Sequence, residues 1–240
     1  MKSQNIENAI DFITGLVGKR YPANPSLICE VLGIAIKSDR PLEKDGYLIC
    51  QNGKKIILIN SRISNRHRKN FIISHELGHF LLHRSQLYSC DHISATLNQN
   101  INTQAQETEA NAFASELLIP RTELIKHIPT RSILRSDVFR IAEEFDVSAT
   151  HAAVQAVMAS NAENEILMCY DQGKLKWFTT ASRRIYPRMV PQRCPVDLDF
   201  AEQEMDITGA WSDLYQGSVH QEKIYTYKSQ HLILLSGDCV

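Results

Sequence analysis

The stretch Phe71 to His83, FIISHELGHFLLH, constrains this chain more than any other. It sets four polar side chains in a segment that is otherwise almost wholly apolar. On a helix turning about 100° per residue, His75, Glu76, His79 and His83 share one arc, and Phe71, Ile73, Leu77, Phe80, Leu81 and Leu82 cover the rest. A helix apolar on nearly every side belongs inside a protein, where two imidazoles and a carboxylate need partners. The spacing predicts a metal: His75 and His79 lie one turn apart and can converge on one ion, while the intervening Glu76 reaches a water held on it. This HExxH arrangement matches its chemistry part by part. Neutral imidazoles suit a borderline ion, an open position admits water, and a carboxylate accepts that water's proton.

Two imidazoles call for a third protein ligand. The segment AQETEANAFASELL, from Ala105 to Leu118, returns to helical periodicity, with Ala110, Phe113, Ala114 and Leu117 as its buried stripe and Pro120 as its stop. Glu107 and Glu109 fall on opposite flanks of that stripe and Glu116 falls near Glu109, so periodicity leaves all three as candidates. Distance counts against His83 as a ligand, since on a continuous helix it lies about 12 Å along the axis from His75. It is read as a support for the site or as a structural residue.

HELGHFLLH followed some thirty residues on by ETEANAFASELLIP resembles the ImmA/IrrE family of zinc-dependent metallopeptidases. The likeness takes in the strand IILIN upstream and IAEEFDVS downstream, roughly residues 20 to 155. The resemblance implies that His75, His79 and Glu109 bind zinc, with manganese as the alternative ion, and that Glu76 is the general base. Glu109 is preferred to Glu107 on this ground alone. Phe113 stands four residues after Glu109, where thermolysin-like enzymes carry an orienting Asp. Tyr88, His92 and His83 are the candidate donors to the transition-state oxyanion. The resemblance also implies a site-specific endopeptidase that cleaves a helix-turn-helix repressor and so releases mobile-element or stress-response genes. The alternative is a metal-bound regulator that sequesters a repressor without cutting it.

The remaining segments predict an α+β chain: a mainly helical, zincin-like metallopeptidase domain over residues 1–130 with a small N-terminal sheet, a helix-turn-helix-like segment over 131–160 packed on it, and a β-containing extension over 161–240. The N-terminal sheet follows from two strands, Tyr47 to Cys50 and Lys55 to Ile59, around an Asn-Gly turn, after amphipathic helices at Ile6 to Val17 and Ser26 to Leu32. Ser64 or Asn65 is the expected cap of the metal helix, and Arg62, Arg66, Arg68 and Lys69 are read as its solvated start. Residues 84 to 104 are rich in Ser, Asn and Gln and read as a loop beside the cleft. In the segment 138 to 159, Ser148 caps a second helix that offers no Arg or Lys, so it is assigned to packing and not to DNA, and His151 is not a ligand. Asn161 to Glu165 reads as a linker. Two hairpins follow, Ile166 to Tyr170 with Leu175 to Thr179 and Lys223 to Tyr227 with His231 to Leu235. Tyr186, Pro187, Trp211 and Tyr215 suit core burial or a partner surface.

A net charge of -1 gives no electrostatic footprint for nucleic acid, and no apolar run reaches the ~20 residues needed to span a bilayer. The opening MKSQNIENAIDF lacks the apolar core of a secretory signal, so a cytoplasmic protein is expected. Six cysteines without CxxC spacing exclude a zinc knuckle and a disulfide framework, and Cys90 is read as an ordinary thiol.

Overall fold

The computed structural model describes residues 2–83, 104–160, 164–196, 208–227 and 229–239. Contacts divide the chain into two compact units, Met1–Pro120 and Arg121–Val240. The first unit thus ends short of the boundary expected at residue 130, and the helices of segment 131–160 group with the C-terminal sheet. The described residues hold seven α-helices and two small sheets, an α+β architecture.

In the first unit, α1 (Lys2–Val17) and α2 (Pro25–Val31) precede a three-stranded sheet of β1 (Ala35–Lys37), β2 (Gly46–Gln51) and β3 (Lys54–Ile59). Strand order is β1-β3-β2, with β1 parallel and β2 antiparallel to the central β3. The hairpin turn is Asn52-Gly53, with φ of 51° and 72°, the left-handed pair that matches strand twist. Two long helices complete the unit, α3 (Arg66–Leu82) and α4 (Gln104–Leu118). Asn65 and not Ser64 caps α3, its side chain accepting from Arg68 N at 2.9 Å. Ile28, Ile57, Ile73, Leu77, Phe80 and Phe113 anchor the core where α3 meets the sheet and α4.

Gly78, inside the HELGH run, decides how closely α3 and α4 approach. A Cβ there would lie 3.1 Å from Ala110 Cα and 3.2 Å from Ala110 O, both backbone atoms that cannot turn aside. Small residues on both helices therefore let the backbones touch, which carries the acidic start of α4 up to the imidazoles of α3.

The second unit begins with α5 (Arg121–Leu124), followed by α6 (Arg135–Glu144) and α7 (Ala149–Ala159). Ser148 caps α7 by accepting from His151 N at 3.1 Å. A four-stranded sheet of order β5-β4-β7-β6 follows: β4 (Glu165–Asp171), β5 (Lys174–Thr179), β6 (Tyr215–Tyr227) and β7 (Gln230–Cys239), each pair antiparallel. The expected linker lies partly outside the described residues, and its last residue, Glu165, opens β4. Trp211 and Tyr215 are buried against the sheet, with Trp211 Nε1 donating to Gln221 at 2.9 Å, whereas Tyr186 is exposed. Core burial thus claims two of the aromatics considered for a partner surface. Cys29 and Cys169 are buried free thiols. Among the described residues no helix is long and apolar enough to cross a membrane.

Candidate metal centre

On α3, the i and i+4 spacing puts His75 and His79 on one face, with their Nε2 atoms 3.0 Å apart. Glu107, in the first turn of α4, brings its carboxylate oxygens to 3.2 Å from His75 Nε2 and 3.7 Å from His79 Nε2. Among the described residues these three form the one group of His, Cys, Asp or Glu side chains whose ligand atoms all lie within 4.8 Å of one another. Bonds of about 2.0–2.1 Å to a tetrahedral ion would set ligand atoms roughly 3.3–3.4 Å apart, close to what the cluster shows. Its donor set, two imidazole nitrogens and a carboxylate, is one that catalytic zinc sites use.

The resemblance points to Glu109 as third ligand; the carboxylate that lies beside both imidazoles in the structure is that of Glu107. Two residues of helix separate these carboxylates by about 200°, so both cannot face the imidazole pair. Glu107 shares its face with Ala110, the small residue that lies against α3 at Gly78. Glu109 leaves on the other flank and meets the next histidine along, His83 Nε2, at 3.1 Å. Glu116 does not join the cluster.

Each imidazole of the pair has its second nitrogen occupied. His75 Nδ1 lies 2.9 Å from Asn111 Oδ1, so that nitrogen carries the proton and Nε2 keeps its lone pair. His79 Nδ1 lies 3.1 Å from His83 Nδ1. Both His83 nitrogens are thereby engaged, one by His79 and the other by Glu109. Tyr88 and His92, the other expected donors, lie outside the described residues, as do Cys90 and the loop expected after α3.

Asn111 was not anticipated. It stands four residues after Glu107, one helical turn on, and testing that offset from Glu107 as well as from Glu109 would have found it.

Glu76 is 8% exposed on the inner side of α3. Burial, then the charge of Glu107, pushes its carboxyl up to about 8, against the pull of Lys44 and the Leu48 N–H. Gly46, on β2, lets the sheet edge approach: a Cβ at that position would meet Ile72 Cγ2 at 2.5 Å and Glu76 Oε1 at 3.2 Å. His79 is pushed down to about 4 by burial, then by His75, with Glu107 opposing and His83 adding to the fall. It is neutral at ordinary pH, the form in which imidazole ligates.

The basic lead-in to α3 behaves as a solvated helix start. Arg68 pairs with Asp45 at 2.6 Å, and both side chains are exposed. His151 is not part of the cluster, and burial alone pushes it down to about 4.

Among solved structures, a Mycobacterium tuberculosis transcriptional regulator is similar, with 14% identity over 97% of this chain and 76% of that chain and a TM-score of 0.58. At that identity the likeness concerns the fold. No curated protein matches the chain. The family model described as the IrrE N-terminal-like domain matches residues 29–156, from within α2 to within α7 and more than half of the sequence, and the chain belongs to that peptidase family.

Proposed function

We propose that the chain is a zincin-like metallo-endopeptidase in which His75, His79 and Glu107 hold a zinc ion, manganese being the alternative, and Glu76 serves as general base. The observation that carries this reading is the convergence of three ligand atoms from α3 and α4 within 4.8 Å, with a buried carboxylate next to them in sequence. Family membership supports a metallopeptidase-like or regulatory role.

A divalent ion bound there supplies Lewis acidity to a peptide carbonyl and makes water more acidic. Glu76 supplies the proton traffic. A cation at the cluster would favour the ionised form of Glu76 against the rise that burial causes, and the carboxylate then takes a proton from the attacking water as the new C–O bond forms and delivers it to the amine nitrogen as the C–N bond breaks, so it is restored each turnover. Burial of Glu76 keeps bulk water from competing for that proton. Asn111 fixes the ring of His75, and Gly46 lets β2 lie close against the Glu76 carboxylate.

The proposed substrate is a helix-turn-helix transcriptional repressor, recognised as protein without direct binding to nucleic acid, in the cytoplasm. Support comes from the family resemblance and from the net charge of -1. The test is incubation of the zinc-loaded chain with a helix-turn-helix repressor encoded beside it, read by intact mass. Two fragments whose masses sum to the parent plus one water are expected. Glu76→Gln is expected to keep the metal and slow cleavage by about 10²–10⁴-fold, the usual contribution of a general base. An intact repressor in a stable complex would replace cleavage by sequestration, and undiminished cutting by Glu76→Gln would remove the assigned base.

A further inference from the structure

The two imidazoles of the cluster are held in different ways. His75 meets one neutral amide, Asn111, at 2.9 Å. His79 heads a row: its Nδ1 lies 3.1 Å from His83 Nδ1, and His83 Nε2 lies 3.1 Å from Glu109 Oε2. Once Nε2 of His79 presents a lone pair, a single arrangement of protons satisfies the row. His79 Nδ1–H donates to His83 Nδ1, and His83 Nε2–H donates to the Glu109 carboxylate. The other neutral tautomer of His83 would oppose two N–H groups across 3.1 Å and leave Glu109 facing a lone pair. His79 is 4% and His83 8% exposed, so solvent is poorly placed to substitute for a missing member.

We propose that His83 and Glu109 are positioning residues acting in series through His79: the carboxylate selects the tautomer of His83, and His83 selects that of His79, aiming its Nε2 lone pair at the ion. The proposal rests on the metal-centre reading above. Glu109 then has a task other than ligation, one step further from the ion than Glu107. Neither residue touches the substrate or the reacting atoms. The row also explains the spacing in HELGHFLLH, where a third histidine follows at i+8 from the first, beyond ligating distance yet one turn from the second.

The experiment measures zinc affinity of the full chain by competition with a chromophoric chelator, and the visible spectrum of the cobalt(II)-loaded protein. The variants are His83→Leu, Glu109→Leu, Glu109→Gln and the double His83→Leu/Glu109→Leu, with Glu107→Gln as the ligand control and circular dichroism of each apo form to verify folding. Loss of an outer support weakens binding by about 10–100-fold, which is expected for His83→Leu and Glu109→Leu, with a shifted cobalt spectrum. Because the two act in series, the double variant is expected to bind no more weakly than His83→Leu alone. Glu109→Gln, which keeps a neutral oxygen for the His83 N–H, is expected to restore part of the loss. If His83→Leu does not fold, Glu109→Gln against Glu109→Leu carries the test, since that side chain is 26% exposed.

Parent-like affinity in the Leu variants, with Glu107→Gln impaired, would overturn the series and leave the metal centre standing. Additive losses in the double variant would overturn it in favour of separate structural roles. If Glu109→Gln lost the metal outright while Glu107→Gln kept it, Glu109 would be the ligand and the proposal would fall. A parent chain that bound no zinc would overturn the metal centre itself, and this proposal with it.

Discussion

Each unit of the chain buries charge-bearing groups, and it disposes of them differently. In the second unit Asp137, 5% exposed, is surrounded by donors: Arg131 at 2.6 and 3.2 Å, the Leu134 N–H at 3.0 Å and Arg140 at 3.2 Å. Burial alone would raise its carboxyl, but these partners hold it below the usual range. In the first unit the acceptors face each other. Two imidazole lone pairs 3.0 Å apart look toward a carboxylate, and the supporting groups Asn111 and His83 lie behind them. A polar cluster closed on itself serves structure. One whose acceptors converge suits a cation from outside, and that fit marks it as a candidate site.

Metal removal tests the contrast most strongly. A ligand at about 1,000 times its dissociation constant stabilises the state that binds it by about 4 kcal/mol. Stripping zinc with a chelator is therefore expected to raise hydrogen exchange in Arg66–Leu82 and Gln104–Leu118 while Arg135–Glu144 and Glu165–Asp171 keep their protection. Equal loss of protection in all four segments would erase the distinction between the units.

Single substitutions sharpen it. Structural zinc sites bind with about 10–16 kcal/mol in all, so one ligand carries about 3 kcal/mol, roughly a hundredfold in affinity. His79→Leu is expected to lose that much zinc affinity, while its apo form should be destabilised less than by Asp137→Ala, because the substitution removes a buried acceptor facing the cluster at the cost of the single His79–His83 contact. Asp137→Ala should show the reverse: zinc affinity unchanged, and stability in urea lowered by about 3 kcal/mol as Arg131, Arg140 and the Leu134 N–H lose their acceptor. Should His79→Leu destabilise the apo chain as strongly as Asp137→Ala does, the imidazole cluster would be a structural network.

The same contrast explains what the sequence disclosed. Local rules were sufficient for α3, where the four-residue spacing of His75 and His79 and the Asn65 cap act within one helix, and for two of the three hairpins, whose turns Asn52-Gly53 and Gln172-Gly173 adopt positive φ. They were sufficient for α7 and its Ser148 cap as well. Contacts between helices were beyond them. The choice between Glu107 and Glu109 depends on how α4 is rotated against α3, which is set by Gly78 meeting Ala110 and leaves no periodic trace. With Glu107 unresolved, Asn111 was invisible, because its role is defined by an offset from the ligand. The grouping of residues 131–160 likewise depends on which apolar face α6 and α7 find. Glu165 accepts from Ile133 N at 2.6 Å, and Glu222 accepts from Arg135 N, both links between residues far apart in sequence.

The smallest expected effect concerns pH, and it separates the two kinds of burial within the second unit. His151 is held down to about 4 by burial from an ordinary value of 6.5, so the folded chain resists a proton that the unfolded chain accepts. Its contribution is fully present above pH 6.5 and is lost as pH falls from 6.5 toward 4, reaching about 2 kcal/mol by pH 5. Asp137, also depressed, contributes above its unfolded value of 3.8 and loses that contribution only as pH falls through its folded value. Between pH 6.5 and 5 the slope of urea stability against pH should therefore flatten in His151→Gln and remain parental in Asp137→Ala, whose deficit is a constant offset there. An unchanged slope in His151→Gln would mean that the imidazole is already protonated in the folded chain, and the assignment of its burial to a neutral ring would fail.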